Sequence, residues 1–155
     1  MHKRTQAWLD ERLAAAASDC AARQLRFTDL RRDILALILQ VDRPVTAYQL
    51  LEQLQQTRAK AAPPTVYRAL EFLLEQHLIH RIERLNAFIA CAESGMHMHP
   101  VQFLICLRCK AVTEMDDHTI SDVVRRAAEA HHFRAEFSTV EVEGLCADCV
   151  LARAP

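Results

Sequence analysis

The 155-residue chain has almost no glycine, only Gly95 and Gly144. Walker and dinucleotide phosphate loops need several closely spaced glycines, so loops of these kinds are absent. Long apolar runs are lacking too. The longest, 34–39, is far short of the roughly 20 residues that cross a bilayer, so no membrane segment is expected. Residues 1–4 (Met-His-Lys-Arg) lead into polar residues rather than a hydrophobic region, which predicts no signal peptide and a cytoplasmic setting. Net charge is also nearly absent, at −1.

What is present looks globular: 51% hydrophobic and 25% charged residues, enough for one domain or two small ones with a buried core. The near-zero charge hides a division. Residues 1–91 carry 13 Lys and Arg against 10 Asp and Glu, whereas residues 92–155 carry 6 against 10. A basic first half and an acidic, cysteine-bearing second half point to two modules.

Four of the six cysteines form two Cys-x-x-Cys pairs, Cys106-Leu-Arg-Cys109 and Cys146-Ala-Asp-Cys149. Each pair presents two sulfurs from one tight turn, and together they supply the four thiolates of a tetrahedral zinc site. The 36 residues between them, 110–145, exceed the roughly 15–20 of a local zinc ribbon. The metal is therefore expected to clamp two distant segments. A thiol oxidoreductase could also use such pairs, but neither sits in a thioredoxin-like βαβ context. A zinc hydrolase needs an open coordination position and a general base. Asp116-Asp117-His118 reads instead as a charged helix start, so no enzyme is expected.

The first half reads as mostly helical. Residues 5–24 are Ala-rich; Leu30, Ile34, Ile38 and Val41 then make one stripe after a Thr28 N-cap. Thr46-Ala-Tyr-Gln49 has the form of a capping box opening a helix whose core face is Ala47, Leu50, Leu51 and Leu54. Pro63-Pro64 start another, with Val66, Leu70, Leu73 and Leu74 on one face and Arg68 opposite. Phe72 falls off that stripe. Residues 78–84 and 87–91 then predict a hairpin. Three helices and a hairpin describe a winged helix, whose third helix enters the major groove, where Arg is well shaped to grip guanine. By pattern alone the same arginine could equally be a solvated surface residue.

The second half reads as α+β. Strands are expected at 101–107 and 111–115, around the first cysteine knuckle, and at 133–142. A helix between them carries Ile120, Val123, Val124, Ala127 and Ala128 on one face. So small a sheet leaves an edge open for a second copy of the chain. Near the junction of the halves lie His80, Cys91, His97, His99 and Glu114, a mixed N, S and O set that suits zinc and disfavours magnesium or calcium. Each also has an ordinary alternative: a lone His is usually a polar surface residue, and Cys91 can be a small buried thiol.

Residues 63–76, Pro-Pro-Thr-Val-Tyr-Arg-Ala-Leu-Glu-Phe-Leu-Leu-Glu-Gln, resemble the recognition helix of the ferric-uptake-regulator (Fur) superfamily, and especially its zinc-uptake regulators. Residues 25–31, 46–51, 103–109 and 144–149 match in order, so the resemblance spans roughly 18–150. It implies a homodimeric repressor of the α+β class that binds double-stranded DNA. Residues 1–91 would form the N-terminal winged helix-turn-helix domain, 92–100 a connector, and 101–155 a small C-terminal α/β dimerisation domain. It further implies two zinc ions per subunit. One is structural, on Cys106, Cys109, Cys146 and Cys149; the other is regulatory, on His80, Cys91, His99 and Glu114, with His97 as competitor for His99. Tyr67 and Arg68, with Thr65 before them, match base-reading positions, while Tyr48, Lys60, Arg26 and Arg31 are candidates for phosphate contact.

Departures choose among branches. Iron-sensing members carry His-His-x-Asp-His before the first knuckle, but the last two positions are Gln102 and Phe103 here, and the acid on the following helix becomes Ser121. An iron- or peroxide-responsive ligand set is thus incomplete, whereas Cys91 favours zinc. The resemblance then implies a repressor of zinc-uptake genes that releases its operator when zinc falls.

Overall fold

The computed structural model describes residues 5–92, 100–115 and 117–152. The chain divides into two units, Met1–His97 and Met98–Pro155. In the first, α1 (Gln6–Ala22) opens on Thr5, whose hydroxyl accepts from the Trp8 N–H at 3.2 Å. Leu9, Leu13, Ala16 and Cys20 fall on one helical face and are all buried. Burial pushes the Cys20 thiol above its ordinary range. Helix α2 (Asp29–Leu39) is capped by Thr28 as expected, and Asp29 in its first turn complements the helix dipole. Its buried face is Ile34, Leu35, Ile38 and Leu39; Leu30 and Val41 pack only partly.

The capping box is formed: Thr46 accepts from the Gln49 N–H, and the Gln49 side chain accepts from the Thr46 N–H at 2.9 Å, starting α3 (Ala47–Thr57). Two prolines occupy the first turn of α4 (Pro63–Glu75), where their missing N–H groups cost nothing. Strand β1 (Ile79–Ile82) pairs antiparallel with β2 (Ala87–Ala90) across a short 3-10 turn and a left-handed Asn86. Val45, just before α3, exchanges backbone hydrogen bonds with Phe88 at 2.9 and 2.8 Å and so ties the wing to the helices. Helices α2 to α4 plus this hairpin are the expected winged helix, with α1 packed on α2 as an addition. Arg31 accounts for Phe72: its guanidinium lies 3.5 Å from the Phe72 ring centroid, so the ring is buried beneath a cation off the main stripe.

In the second unit β3 (Val101–Cys106) is central, with β4 (Val112–Met115) antiparallel on one side and β5 (Thr139–Gly144) parallel on the other. Helix α5 (His118–Ala130) connects β4 to β5, and a short α6 (Ala147–Leu151) follows. The strand expected at 133–142 begins six residues later and ends two later. The parallel ladder starts where β3 starts, at Val101↔Thr139, and Phe133 and Phe137 remain 65% and 49% exposed. Alternation of apolar residues there marks a loop, with no strand paired to it among the described residues.

The scarcity of glycine has a structural counterpart. Gln24, His77, Asn86, Lys110 and His132 all adopt positive φ, between 45° and 60°, a region disfavoured by about 1–2 kcal/mol for residues with a side chain. At Gln24, His77 and His132 the next residue's N–H closes a Schellman-type bond to the preceding helix, as in Leu25 to the Cys20 carbonyl at 2.8 Å. No helix among the described residues is long and apolar enough to cross a membrane.

Candidate functional site

The four pairwise-spaced cysteines meet. Cys106 ends β3, Cys109 follows in the turn, Cys146 caps α6 and Cys149 lies in its first turn. Their four sulfurs all lie within 4.8 Å of one another, and those of Cys109 and Cys146 are 3.7 Å apart. A tetrahedral site with metal–sulfur bonds of about 2.3 Å has edges of about 3.8 Å, so the donor set fits zinc in size and chemistry. The register makes this possible: Cys106 pairs with Gly144 in the parallel ladder, and the Leu107 N–H reaches the Gly144 carbonyl at 2.8 Å. Both knuckles therefore leave the sheet side by side.

The charges favour a cation. Main-chain N–H groups of Cys109, Cys146 and Arg108 stabilise the Cys106 thiolate, the Cys146 N–H at 3.4 Å, and hold its pKa down to about 5. Cys149 is pushed up to about 12, chiefly by the Cys146 side chain and then by burial and the remaining sulfurs. One thiolate thus forms readily and opposes the ionisation of its neighbour, a conflict that a bound dication removes. Arg108 adds a hydrogen bond to the Cys149 carbonyl at 3.2 Å, joining the knuckles again.

A second pair of donors lies in the wing. His80 on β1 and Cys91 just past β2 are both buried, and their ligand atoms are within 4.8 Å. The Cys91 N–H donates to the Leu78 carbonyl at 3.2 Å, continuing the hairpin ladder by one residue. Glu114 is half-buried on β4, opposite Phe103. His97 and His99 lie outside the described residues.

Gln102 and Ser121, named above only as departures from an iron-type set, are direct partners. Gln102 is 1% exposed; its amide donates to the Ser121 hydroxyl at 2.7 Å and the Asp117 carbonyl at 3.1 Å, and its oxygen accepts from the Asp117 N–H at 2.9 Å. A neutral clip thus fastens the start of α5 to β3. The only sequence signal was a polar residue between Val101 and Phe103 in an otherwise apolar strand. Gln102→Leu keeps the volume but strands these partners, so denaturant unfolding should show a loss of about 1–3 kcal/mol.

The DNA-reading candidates lie on the first unit's surface. Thr65, Tyr67 and Arg68 are exposed near the start of α4, away from its buried Val66, Leu70 and Leu73. Tyr67 is 53% and Tyr48, at the start of α3, 76% exposed. Lys60 and Arg26 are exposed as well. Arg31 is partly buried over Phe72 and donates to the Arg26 carbonyl, so it braces α4 from α2.

Residues 22–143 match the model of the Ferric uptake regulator family. The chain is 39% identical over 140 residues to the zinc uptake regulation protein of Escherichia coli (strain K12), covering 90% of this chain and 82% of that protein. Among solved structures it resembles a zinc uptake regulator complexed with zinc and DNA, with a TM-score of 0.91, 37% identity, and coverage of 98% of this chain and 100% of that one. The structure of holo XcZur is also similar, with a TM-score of 0.82, 39% identity, and coverage of 92% and 99%.

Proposed function

This chain belongs to the ferric uptake regulator family, and from that premise we propose that it is a cytoplasmic, zinc-responsive transcriptional repressor that acts on double-stranded DNA as a homodimer. The observation that carries this reading is the His80–Cys91 pair in the wing, a nitrogen and a sulfur donor within 4.8 Å. Imidazole with thiolate selects zinc over magnesium, calcium or manganese. The relatives more than 35% identical to this chain that are described above are zinc-uptake regulators, one of them complexed with zinc and DNA.

In this reading the chain holds two zinc ions. Cys106, Cys109, Cys146 and Cys149 form a closed structural site, with no position left for a substrate. His80, Cys91, His99 and Glu114 form the regulatory site, its ligands drawn from the wing, the 92–100 connector and β4. Residues 1–91 read DNA and 101–155 dimerise. The dimer role is supported by α5, which buries none of its residues within one chain although its apolar side chains share a face, and by the edges of β4 and β5, which pair with no further strand among the described residues.

Filling the regulatory site favours the conformation in which the two recognition helices of a dimer match successive major grooves of a pseudo-palindromic operator. Metal and DNA then strengthen each other reciprocally, by about 1–3 kcal/mol. Zinc depletion releases the operator and the zinc-uptake genes behind it. The test is an operator-binding titration at buffered free zinc, with iron and manganese as controls. Binding that rises with iron but not with zinc would favour the iron-responsive alternative and overturn this assignment.

Within the reader, Tyr67 and Arg68, with Thr65, are assigned to base contact, and Tyr48, Lys60 and Arg26 to phosphate. Arg68→Ala should weaken operator binding by about 1–3 kcal/mol more than binding to unrelated duplex, measured by anisotropy at fixed salt. An equal loss on both, with a salt slope lower by about one, would make Arg68 a phosphate contact.

A further inference from the structure

The first helix reaches across the unit to the end of the wing. Arg12 sits beside the buried stripe of α1, next to Leu13, and is itself partly buried. Its guanidinium donates to the Cys91 carbonyl at 2.6 Å through Nη2 and extends towards the Ala92 carbonyl at 3.5 Å through Nη1. These partners are 79 and 80 residues away along the chain. Trp8, one turn earlier on α1, lies with its ring centroid 5.8 Å from the guanidinium carbon. A planar, permanently charged fork directed along an aromatic neighbour holds its geometry better than a flexible ammonium would.

The target matters more than the bond. Cys91 is the last residue of the hairpin ladder, and its N–H is already taken by the Leu78 carbonyl at 3.2 Å. With Arg12 on its carbonyl, both main-chain polar groups of Cys91 are fixed, one by the wing and one by α1. The side chain between them carries the sulfur that lies within 4.8 Å of the His80 donor atom. We propose that Arg12 is a positioning residue for Cys91, which it holds by its carbonyl in the geometry that captures the regulatory metal. This rests on the reading of Cys91 as a zinc ligand. On that reading α1 is part of the sensing apparatus, as an outer support of the kind that orients metal ligands through their hydrogen bonds.

The experiment compares wild type, Arg12→Ala, Arg12→Lys and Cys91→Ser in operator-binding curves against buffered free zinc, each with its thermal unfolding curve. Alanine is the best helix former, so α1 is retained in Arg12→Ala. The expected result is a zinc midpoint raised about tenfold or more in Arg12→Ala, with operator affinity at saturating zinc near wild type. Arg12→Lys, with a single point donor in place of the fork, should fall between. A midpoint unchanged in Arg12→Ala, while Cys91→Ser abolishes the response, overturns the positioning role and leaves Cys91 a ligand. An equal loss of operator affinity at every zinc concentration, tracking a lower unfolding temperature, also overturns it, since Arg12 would then only bolt α1 to the wing. A zinc response that survives in Cys91→Ser removes the underlying reading instead.

Discussion

Cys106→Ser is expected to unfold the second unit while the first keeps its helices. The reason lies in how little that unit buries. Its buried described residues are Val101, Gln102, Phe103, Ile105, Cys106 and Cys149, all from β3 except the last. Neither α5 nor the loop behind it contributes a buried side chain. A core this thin cannot offset the conformational entropy of ordering the unit. Structural zinc contributes about 10–16 kcal/mol of apparent binding free energy, which becomes folding free energy when the site exists only in the folded chain. A serine hydroxyl does not ionise at neutral pH and is a poor zinc ligand. Cys106 is also the sulfur that the surrounding N–H groups prepare as a thiolate. Circular dichroism should show partial loss of structure, with zinc content lower by one equivalent per chain. A strong chelator should do the same to wild type. An unfolding curve for Cys106→Ser that overlays the wild-type curve would refute a structural role for the cluster.

Cys91→Ser is expected to have the largest effect on function with little effect on fold. The substitution nearly conserves size at a buried position, and the introduced hydroxyl costs about 1–3 kcal/mol if it finds no partner. The metal-binding consequence is far larger, because the soft donor itself is lost. Changes in supporting residues alone cost about 10–100-fold in metal affinity, and removal of a ligand should exceed that. Operator binding should therefore no longer rise with free zinc in the range where wild type responds. Matching far-UV spectra and gel-filtration profiles would establish that the variant remains folded and assembled. Undiminished zinc dependence would exclude Cys91 from the sensing site.

Most of the winged helix was readable from local rules. Thr28 and the Thr46–Gln49 box announce their helices by hydrogen bonds made within four residues, and Pro63-Pro64 announce theirs by missing donors. The thiolate cluster was readable because each pair carries its own short spacing. What sequence could not supply was pairing between distant segments. Residues 133–138 alternate like a strand yet pair with none among the described residues, where the ladder to β3 starts at Val101↔Thr139. Phe72 looked misplaced because its partner, Arg31, belongs to another helix. Gln102 and Ser121 were visible as departures from a metal set, but their mutual bond depends on the packing of α5 on β3. Arg12 gave no signal at all, because nothing local distinguishes it from other helical arginines.

The long interval between the cysteine pairs has a consequence in the unfolded chain. A metal bridging 106–109 and 146–149 closes a loop through residues 110–145, which contains β4, α5 and β5. If the ion stays bound to both pairs, the denatured ensemble loses the freedom of that loop. For a cross-link spanning this many residues, the chain-entropy relation gives about 4 kcal/mol at 25 °C. A compact ribbon with a short spacer would forgo part of that amount. The stretch that holds no ligand thus sets how strongly the cross-link restrains the chain, and the restraint disappears whenever the metal is withdrawn.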